Sequence, residues 1–427
     1  MDIFNSPEYK RSRRAYVVQC TAEYFVTLIV TGAFIAKLLS SIGISDSLVG
    51  IISSFTSLAF VFQILSMGLS NKRISSKKIV MIFDTMSIFC FMFMFLVPFL
   101  PVGKGVKTVI LMIDILLAYF FKYLILNICF KWANSYVSPN ERGSFSVGKE
   151  MVSLVTGMAF SAIMGYALDK FEALDNINSG FLFISATILV LNIINFVSLL
   201  NIKKEEDIPE EEKSESITDT FRNIITNKNF RSIIILEILW SVARYFSIGF
   251  FAIFKTKDLA MSVFFIEAVN IVAALFRVLV SKPMGRYSDR NSFSKGFELG
   301  LYFAAIAFFA NIFTTKSTWF FIVVYTVLYS CAMAGTNQNS FNMVYSYVEQ
   351  KYIAQAMAIK NCIGGVLGFF ASILGGKILD FVQANGNMVF GIHVFGQQIL
   401  SAISFLIIVV AIVFTKKVIE KQKIIIQ

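Results

Sequence analysis

Charged and strongly polar side chains stand inside apolar stretches of this 427-residue chain, and they are the groups that could do chemistry. An ionised side chain at the centre of a bilayer costs roughly 2.5 to 3.5 kcal/mol or more, so each should face a partner or a water-filled cavity. One apolar stretch carries Glu237, Trp240 and Arg244 at positions i, i+3 and i+7. This spacing places a carboxyl, an aromatic ring and a guanidinium along one side of a helix.

Three other apolar stretches also carry polar residues at helical spacing. Because such faces avoid lipid, we expect them to line protein or water. The polar positions are Gln19, Glu23, Thr27 and Thr31 on the first stretch, Tyr119, Lys122, Tyr123 and Asn127 on the fourth, and Tyr325, Tyr329, Asn337, Gln338 and Asn339 on the tenth.

The same residues are therefore expected to line a water-filled cavity, in which cations could bind a ligand and a buried carboxyl could carry a proton. The expected cavity residues are Glu23, Thr27, Lys122, Asn127, Glu237, Trp240, Arg244 and Gln338, and the proton-carrying candidates are Glu23, Glu237 and Glu267. The alternative is a set of structural ion pairs, such as Glu237 with Arg244 or Glu23 with Lys122. Asp84, close to the predicted end of a stretch, is expected to pair with loop cations.

The composition requires lipid as the solvent for most of the chain: 56% of residues are hydrophobic, 15% are charged and the mean hydropathy is +0.71. A hydrocarbon core of ~30 Å needs roughly 20 apolar residues per helix. We therefore predict an all-α membrane protein of about twelve spans. They fall near residues 15–39, 46–69, 79–101, 107–130, 147–168, 179–200, 230–254, 261–281, 297–314, 318–341, 356–381 and 391–415.

Lysine and arginine collect in the loops that follow even-numbered spans, and cytoplasmic loops keep positive charge. We therefore predict cytoplasmic termini for a multi-pass protein of a bacterial inner membrane. Residues 201–229 carry too many charges to insert and are predicted to be a solvated acidic linker. This linker divides the chain into an N-terminal six-helix bundle, residues 1–200, and a C-terminal six-helix bundle, residues 230–427.

Several functional classes are disfavoured by what the sequence holds. The net charge of +11 is spread over short clusters, which argues against nucleic-acid binding. Five cysteines without paired spacing and a single histidine give no expected metal, cofactor or disulfide, and an enzyme is disfavoured. No phosphate-binding loop for an ATP-driven pump is visible. The expected partners are a small molecule, the bilayer and a coupling ion, H+, and the expected state is a monomer.

An internal repeat relates the two halves at an offset of 211 residues. One ungapped frame aligns Asp169 with Asp380, Lys149 with Lys360, and Asn127 with Gln338. Spans four and five therefore resemble spans ten and eleven, as expected for two parallel halves. We expect interface roles for the matched lysines. Close backbone packing is predicted at glycines of the fifth and eleventh spans: Gly157, Gly165, Gly364, Gly365, Gly368, Gly375 and Gly376.

Three loops carry short motifs. The loop after the eighth span contains Gly285, Asp289 and Arg290 within Gly-Arg-Tyr-Ser-Asp-Arg, and the loop after the second span holds a degraded copy with Asn71 in place of the Asp. After the fourth span the chain reads Pro-Asn-Glu-Arg-Gly, which includes Glu141 and Arg142. With the spans, the linker and the repeat, these motifs resemble the major facilitator superfamily along the whole chain.

The resemblance implies a secondary transporter that works by alternating access, with spans one, four, seven and ten lining a central cavity. It also implies a cytoplasmic gate formed by Asn71, Gly285, Asp289, Arg290, Glu141 and Arg142. Export of amphipathic compounds and uptake of a polar or anionic metabolite both remain open. Outside this class, a non-transporting sensor or a lipid mover on the same scaffold is the alternative.

Overall fold

The computed structural model describes residues 6–69, 75–138, 141–203, 226–348, 353–389 and 391–422. This part of the chain is almost entirely helical, with one short antiparallel ribbon formed by β1 (Met388–Val389) and β2 (Ile392–His393). The helices of the first half are α1 Pro7–Ile29, α2 Gly32–Ser41, α3 Asp46–Ser53, α4 Phe55–Leu58, α5 Phe60–Leu69, α6 Ser76–Met94, α7 Lys104–Asn134, α8 Arg142–Ala173 and α9 Ile177–Asn201. Those of the second half are α10 Lys228–Tyr245, α11 Ile248–Ile253, α12 Val263–Arg290, α13 Phe293–Asn311, α14 Phe320–Tyr347, α15 Ile353–Ala384 and α16 Gly396–Lys417.

Ten helical segments in the described ranges are long and apolar enough to cross a membrane, and the bent pair α1 and α2 raises this number to 11. The third predicted span corresponds to α6, which is not among these segments. Its 19 residues include three charged ones, Lys77, Lys78 and Asp84, so it has no uncharged apolar stretch long enough to cross a membrane. Large apolar side chains along α8, α9 and α12, such as Ile163, Ile193 and Leu279, are exposed, as a lipid-facing surface requires.

The first and second predicted spans are broken rather than continuous. Gly32 has a φ of +61°, a left-handed conformation that glycine adopts without strain, and α1 and α2 meet there at 45°. In the second span, the hydroxyl of Ser54 donates to the Gly50 carbonyl at 3.1 Å, and that of Ser57 donates to the Ser54 carbonyl at 2.8 Å. Such side-chain bonds compete with the helical ladder and accompany the breaks between α3, α4 and α5.

The described chain divides into two compact units, and neither is continuous in sequence. The first unit contains Met1–Ile44, Val61–Glu210 and Ser262–Glu267. In it, α1 packs against α8 and α9, and α6 packs against α7 and α9. Trp132 and Tyr136 are among the large side chains buried in its core.

The second unit contains Ser45–Phe60, Glu211–Met261 and Ala268–Gln427. In it, α13 packs against α14 and α16, α10 packs against α15 and α16, and α3 packs against α11 and α15. Phe230, Phe297 and Phe308 are fully or almost fully buried in its core. The predicted linker, residues 201–229, lies mostly outside the described ranges, and the division into two six-helix bundles along the sequence stays a prediction.

Glycines on α15 permit the close backbone packing that the sequence predicts. A Cβ atom on Gly375 would stand 2.3 Å from the Phe246 carbonyl oxygen, and one on Gly365 would stand 2.2 Å from the Ser57 carbonyl oxygen. Backbone oxygens cannot move aside as a flexible side chain does. Both positions therefore require glycine for steric reasons.

Replacing Gly375 with alanine is expected to lower the thermal stability of the purified protein, because overpacking of this kind costs about 1 to 3 kcal/mol. Gly148→Ala is the matched control, since a Cβ atom on this exposed helical glycine would meet no other atom within 4 Å. Thermal unfolding in detergent measures both variants. Equal stability of Gly375→Ala and Gly148→Ala would show that the close approach at α15 is absent.

Candidate functional site

A cavity of about 340 Å³ lies within the second unit, among α10, α14 and α15. Five of its lining residues come from α10, and three of these, Glu237, Trp240 and Arg244, are those that helical spacing placed on one face. The remaining lining residues combine amides and hydroxyls with apolar side chains: Phe60, Ser241, Tyr245, Met333, Thr336, Asn337, Ser340, Phe341, Met357, Lys360, Asn361 and Gly365. This volume suits a small solute.

The Glu237 carboxylate is held by three side chains. Lys360 Nζ lies 3.2 Å from Glu237 Oε2, and the Ser340 hydroxyl donates to the same oxygen at 3.1 Å. The other carboxylate oxygen accepts from the Ser241 hydroxyl at 3.2 Å. Lys360 also donates to Ser340 Oγ at 2.5 Å, so the ammonium, hydroxyl and carboxylate form a closed triangle.

This ion pair is well shielded from solvent, since the side chains of Lys360 and Glu237 are 3% and 13% exposed. From the sequence, Lys360 was expected to have an interface role, and Arg244 was considered as the structural partner of Glu237. In the structure the partner of Glu237 is Lys360 instead of Arg244. Lys360 joins α15 to α10, which agrees with an interface role, and it also lines the cavity. Its position inside an apolar span was the signal that could have identified it.

Arg244 is fixed by aromatic rings, and no carboxylate of the described residues bridges it directly. Its guanidinium carbon lies 5.4 Å from the Trp240 ring centroid and 5.2 Å from that of Tyr245, both within the range of cation–π attraction. Arg244 Nε is buried and has no hydrogen-bond partner among the described residues. A buried N–H of this kind is a ready donor for a bound acceptor, because leaving it unpaired is costly.

Trp240 is itself rigid. The side chain is 2% exposed, stacks on Tyr329 at a centroid distance of 6.3 Å and contacts Phe297 edge to face at 6.3 Å. Because both neighbours hold the indole ring, the guanidinium of Arg244 packs against a fixed surface. A preorganised cation of this kind loses little entropy on binding an anion.

The first unit brings together polar residues from the first and fourth predicted spans. Lys122 Nζ donates to the Thr27 hydroxyl at 3.1 Å, and that hydroxyl donates to the Glu23 carbonyl at 2.9 Å. All three side chains are half-buried. Asn127 lies on the same helix as Lys122, one turn further along α7.

The two lysines matched by the sequence repeat, Lys149 and Lys360, each contact a neighbouring helix of their own unit. Lys149 on α8 stands 4.7 Å from the centroid of the Tyr16 ring on α1. Lys360, at the equivalent position on α15, forms an ion pair with Glu237 on α10. One lysine therefore meets an aromatic face where its mate meets a carboxylate, and among these two matched lysines only Lys360 forms a buried ion pair.

Asp84 differs from its sequence-based expectation. Its carboxylate is 1% exposed and accepts from Asn195 Nδ2 at 2.6 Å and from Gln19 Nε2 at 3.5 Å. The expected pairing with loop cations is wrong, because α6 begins at Ser76 and places Asp84 ~12 Å further along the helix axis. This residue therefore lies deeper than its place in the sequence suggested.

The other predicted site residues occupy separate places. Glu267 is 5% exposed in the first unit, near the start of α12. There Asp169 accepts the backbone N–H groups of Val263 and Phe264, both at 2.8 Å, which suits the positive end of a helix. Gln338 is exposed on α14, and its neighbour Asn337 lines the cavity.

Residues of the predicted gate lie at helix ends where they are described. Gly285, Asp289 and Arg290 belong to the last turns of α12, with the two charged side chains exposed. Glu141 is the exposed N-cap of α8, which begins at Arg142. Asn71 lies outside the described residues. The gate stays a prediction.

No group of three or more histidine, cysteine, aspartate or glutamate side chains that could hold a metal ion occurs in the described ranges. His393, the single histidine of the chain, is exposed in β2. The polar groups of the cavity are suited to ion pairing and hydrogen bonding with a solute.

A family profile described as Major Facilitator Superfamily matches residues 17–372. Among solved structures, a variant of the nucleoside transporter NupG is similar with a TM-score of 0.74 and 14% identity, covering 95% of this chain and 99% of that chain. A D-xylose-proton symporter gives 0.70 and 13%, covering 95% and 97% of the two chains, and the POT family transporter PepTSo gives 0.68 and 9%, covering 97% and 99%. No curated protein matches the chain significantly.

Proposed function

The chain belongs to the major facilitator superfamily, and from that premise we propose that it is a proton-coupled transporter of a small anionic solute. It is an integral, multi-pass membrane transporter with an all-α fold. The solute class and the coupling ion are the parts that we add. A single observation supports them: the cavity of the second unit contains one more cation than anion, and its surplus cation, Arg244, has a buried donor without a partner among the described residues.

The charges of the cavity favour an anion. Glu237 and Lys360 neutralise each other at 3.2 Å, which leaves the guanidinium of Arg244 without a direct bridge to any carboxylate in the described ranges. A guanidinium presents donors in a planar fork that matches the two oxygens of a carboxylate or a phosphate. Phe60, Phe341 and the methionines of the wall would contact the apolar part of such a solute.

Proton coupling follows from the same three charges. When Glu237 takes up a proton, Lys360 loses its counter-ion and the cavity carries two positive charges instead of one. The protonated state therefore binds an anion more tightly, and by thermodynamic reciprocity the bound anion favours protonation. This coupling has the sign of a symport. Among the three candidate acids, we assign the coupling proton to Glu237.

Topology and assembly complete this proposal. We propose a bacterial inner-membrane protein that acts as a monomer, with both termini and the exposed end of α12 in the cytoplasm, since the basic loops lie on that side. Asp289 would then contribute to the cytoplasmic gate. Glu23, Thr27 and Lys122 would provide the polar face of the first unit, together with Asn127, and Gln338 would add an amide from the second.

Uptake into proteoliposomes tests the proposal. Labelled carboxylates and phosphate monoesters are compared with neutral sugars and lipophilic cations, with and without an imposed proton gradient. We expect the anions to accumulate saturably, and we expect a protonophore to abolish this accumulation. Transport restricted to neutral or cationic solutes would contradict the anion assignment, and accumulation that is insensitive to the protonophore would contradict proton coupling.

Export of amphipathic compounds is the second candidate, because aromatic rings surround Arg244. The same experiment separates the two candidates. An exporter would move lipophilic compounds against their gradient only when the imposed proton gradient is opposite in direction to the one that drives anion uptake. Competition between an anionic metabolite and a lipophilic cation would favour this second candidate.

A further inference from the structure

We infer that the solute is a hydroxylated organic anion, a sugar acid or a sugar phosphate, and that Asn337 and Asn361 select it by binding its hydroxyl groups. The inference rests on the proposed function, because Arg244 would bind the anionic group of the solute. It adds the chemistry of the rest of the solute. All three side chains line the same cavity of the second unit.

Several polar side chains of the cavity wall are already bonded within the protein. Four of them bond one another, and these are Glu237, Lys360, Ser340 and Ser241. Another, Thr336, donates its hydroxyl to a backbone carbonyl of its own helix at 3.0 Å. A solute that engages these groups competes with an existing bond, which lowers the net gain from binding them.

The side-chain amides of Asn337 and Asn361 are free to bind a solute. In the described part of the chain neither amide forms a hydrogen bond, although both line the cavity, Asn337 exposed on α14 and Asn361 half-buried on α15. Each amide presents a carbonyl acceptor and an NH2 group with two donors. A hydroxyl group both donates and accepts, so it satisfies either end of an amide. An apolar chain in the same place would exclude water and leave both amides unpaired, which is costly.

The contacts between α10 and α14 fix the level of the first amide. Ser340 of α14 bonds Glu237 of α10. Earlier on α14, Tyr329 stacks on Trp240, which lies later on α10, so the two helices run antiparallel. Asn337 lies between these two contacts, one turn from Ser340. It is therefore displaced from the ion pair toward the guanidinium.

Helix α15 runs parallel to α10 in the same region. Lys360 bonds Glu237, and further along both helices a Cβ atom on Gly368 would stand 2.6 Å from the Tyr245 ring. Asn361 directly follows Lys360, so it also lies on the guanidinium side of the ion pair. At 1.5 Å per residue, the two amides lie roughly 6 to 9 Å along the helix axis from the level of the arginine.

This spacing defines the shape of the solute. Its anionic group lies at one end, and its hydroxyl groups lie one to two helical turns away. The cavity volume of about 340 Å³ suits a solute of this size, and Phe60 and Phe341 of the wall would pack against its C–H groups. A solute with an amino group is disfavoured, because Lys360 already neutralises the Glu237 carboxylate of the lining.

Isothermal titration calorimetry of the purified full chain tests the inference with matched probes. Gluconate and hexanoate have the same chain length and the same carboxylate, and only gluconate carries hydroxyl groups. We expect gluconate to bind about 10-fold to 100-fold more tightly than hexanoate, since several hydrogen bonds between neutral groups add. It should also bind more tightly than glucose, which has hydroxyl groups without a charge. A hexose phosphate and hexyl phosphate repeat the comparison and show which anionic group is preferred.

The double variant with Asn337→Leu and Asn361→Leu removes both amides with little change in side-chain volume. Its affinity for gluconate should fall to that for hexanoate, whereas its affinity for hexanoate should be unchanged or higher. Asn342→Leu removes an amide of α14 outside the cavity lining and is the matched control. This control should bind gluconate as the wild type does.

The possible results separate the inference from the proposed function. Equal affinity of the wild type for hydroxylated and unhydroxylated anions overturns the inference and leaves anion binding intact. An undiminished preference for gluconate in the double variant also overturns it. Glucose bound as tightly as gluconate, or no binding of any of these anions, contradicts the proposed function itself. The comparison within the wild type needs no substitution, so it decides the question even where a variant fails to fold.

Discussion

Replacing Arg244 with alanine is expected to weaken the binding of anionic solutes about 10-fold to 100-fold and to abolish their saturable uptake. The physical reason is the loss of one or more hydrogen bonds to a charged group, each of which contributes roughly 1.5 to 3 kcal/mol. The buried Nε of this residue has no partner in the described part of the chain, so the donor is available for a solute. Equilibrium binding and uptake into proteoliposomes measure the effect.

Two variants sharpen this experiment. Arg231→Ala removes an arginine from the exposed side of the same helix, α10, and should leave binding unchanged. Arg244→Lys keeps the positive charge and loses the planar fork, so it should bind anions with intermediate affinity. If Arg244→Ala binds and transports anions as the wild type does, the guanidinium is not the anion site.

Replacing Lys360 with methionine is expected to destabilise the protein strongly, by about 3 to 5 kcal/mol, since breaking a buried ion pair leaves an uncompensated charge. Glu237 would retain only the hydroxyls of Ser340 and Ser241 as direct partners among those described above. The double variant with Glu237→Gln and Lys360→Met should recover most of the stability, because neither charge of the pair remains. Thermal unfolding of the purified proteins compares the variants, and a double variant no more stable than Lys360→Met would contradict the pairing.

Removing the charge of Glu237 from the same ion pair is expected to separate solute exchange from proton coupling. Glu237→Gln mimics the protonated acid permanently, so exchange of labelled for unlabelled anion should continue while accumulation driven by a proton gradient is lost. Glu298→Gln is the matched control, because Glu298 pairs with Lys416 at 3.2 Å in the same unit, outside the cavity lining. Accumulation by Glu237→Gln at the wild-type level would exclude Glu237 as the coupling residue.

Periodicity within a helix is a local property, and the sequence predicted it correctly. The apolar stretches form helices, and Glu237, Trp240 and Arg244 lie on the cavity side of a single helix because their spacing alone puts them there. The motifs and the repeat indicated the superfamily for the same reason, since they are patterns in the order of residues. The breaks in the first two spans were missed, because the apolar composition continues through Gly32 and Ser54.

Contacts between helices depend on their rotation and relative depth, which periodicity along one helix does not specify. The sequence alone therefore determined a lipid-embedded helical chain with charged residues on particular helix faces. Only the tertiary structure decided that Glu237 pairs with Lys360 and that Asp84 is buried beside the amides of Asn195 and Gln19. A buried charge takes its partner from whichever helix brings a complementary group within reach, and that choice is made when the helices pack.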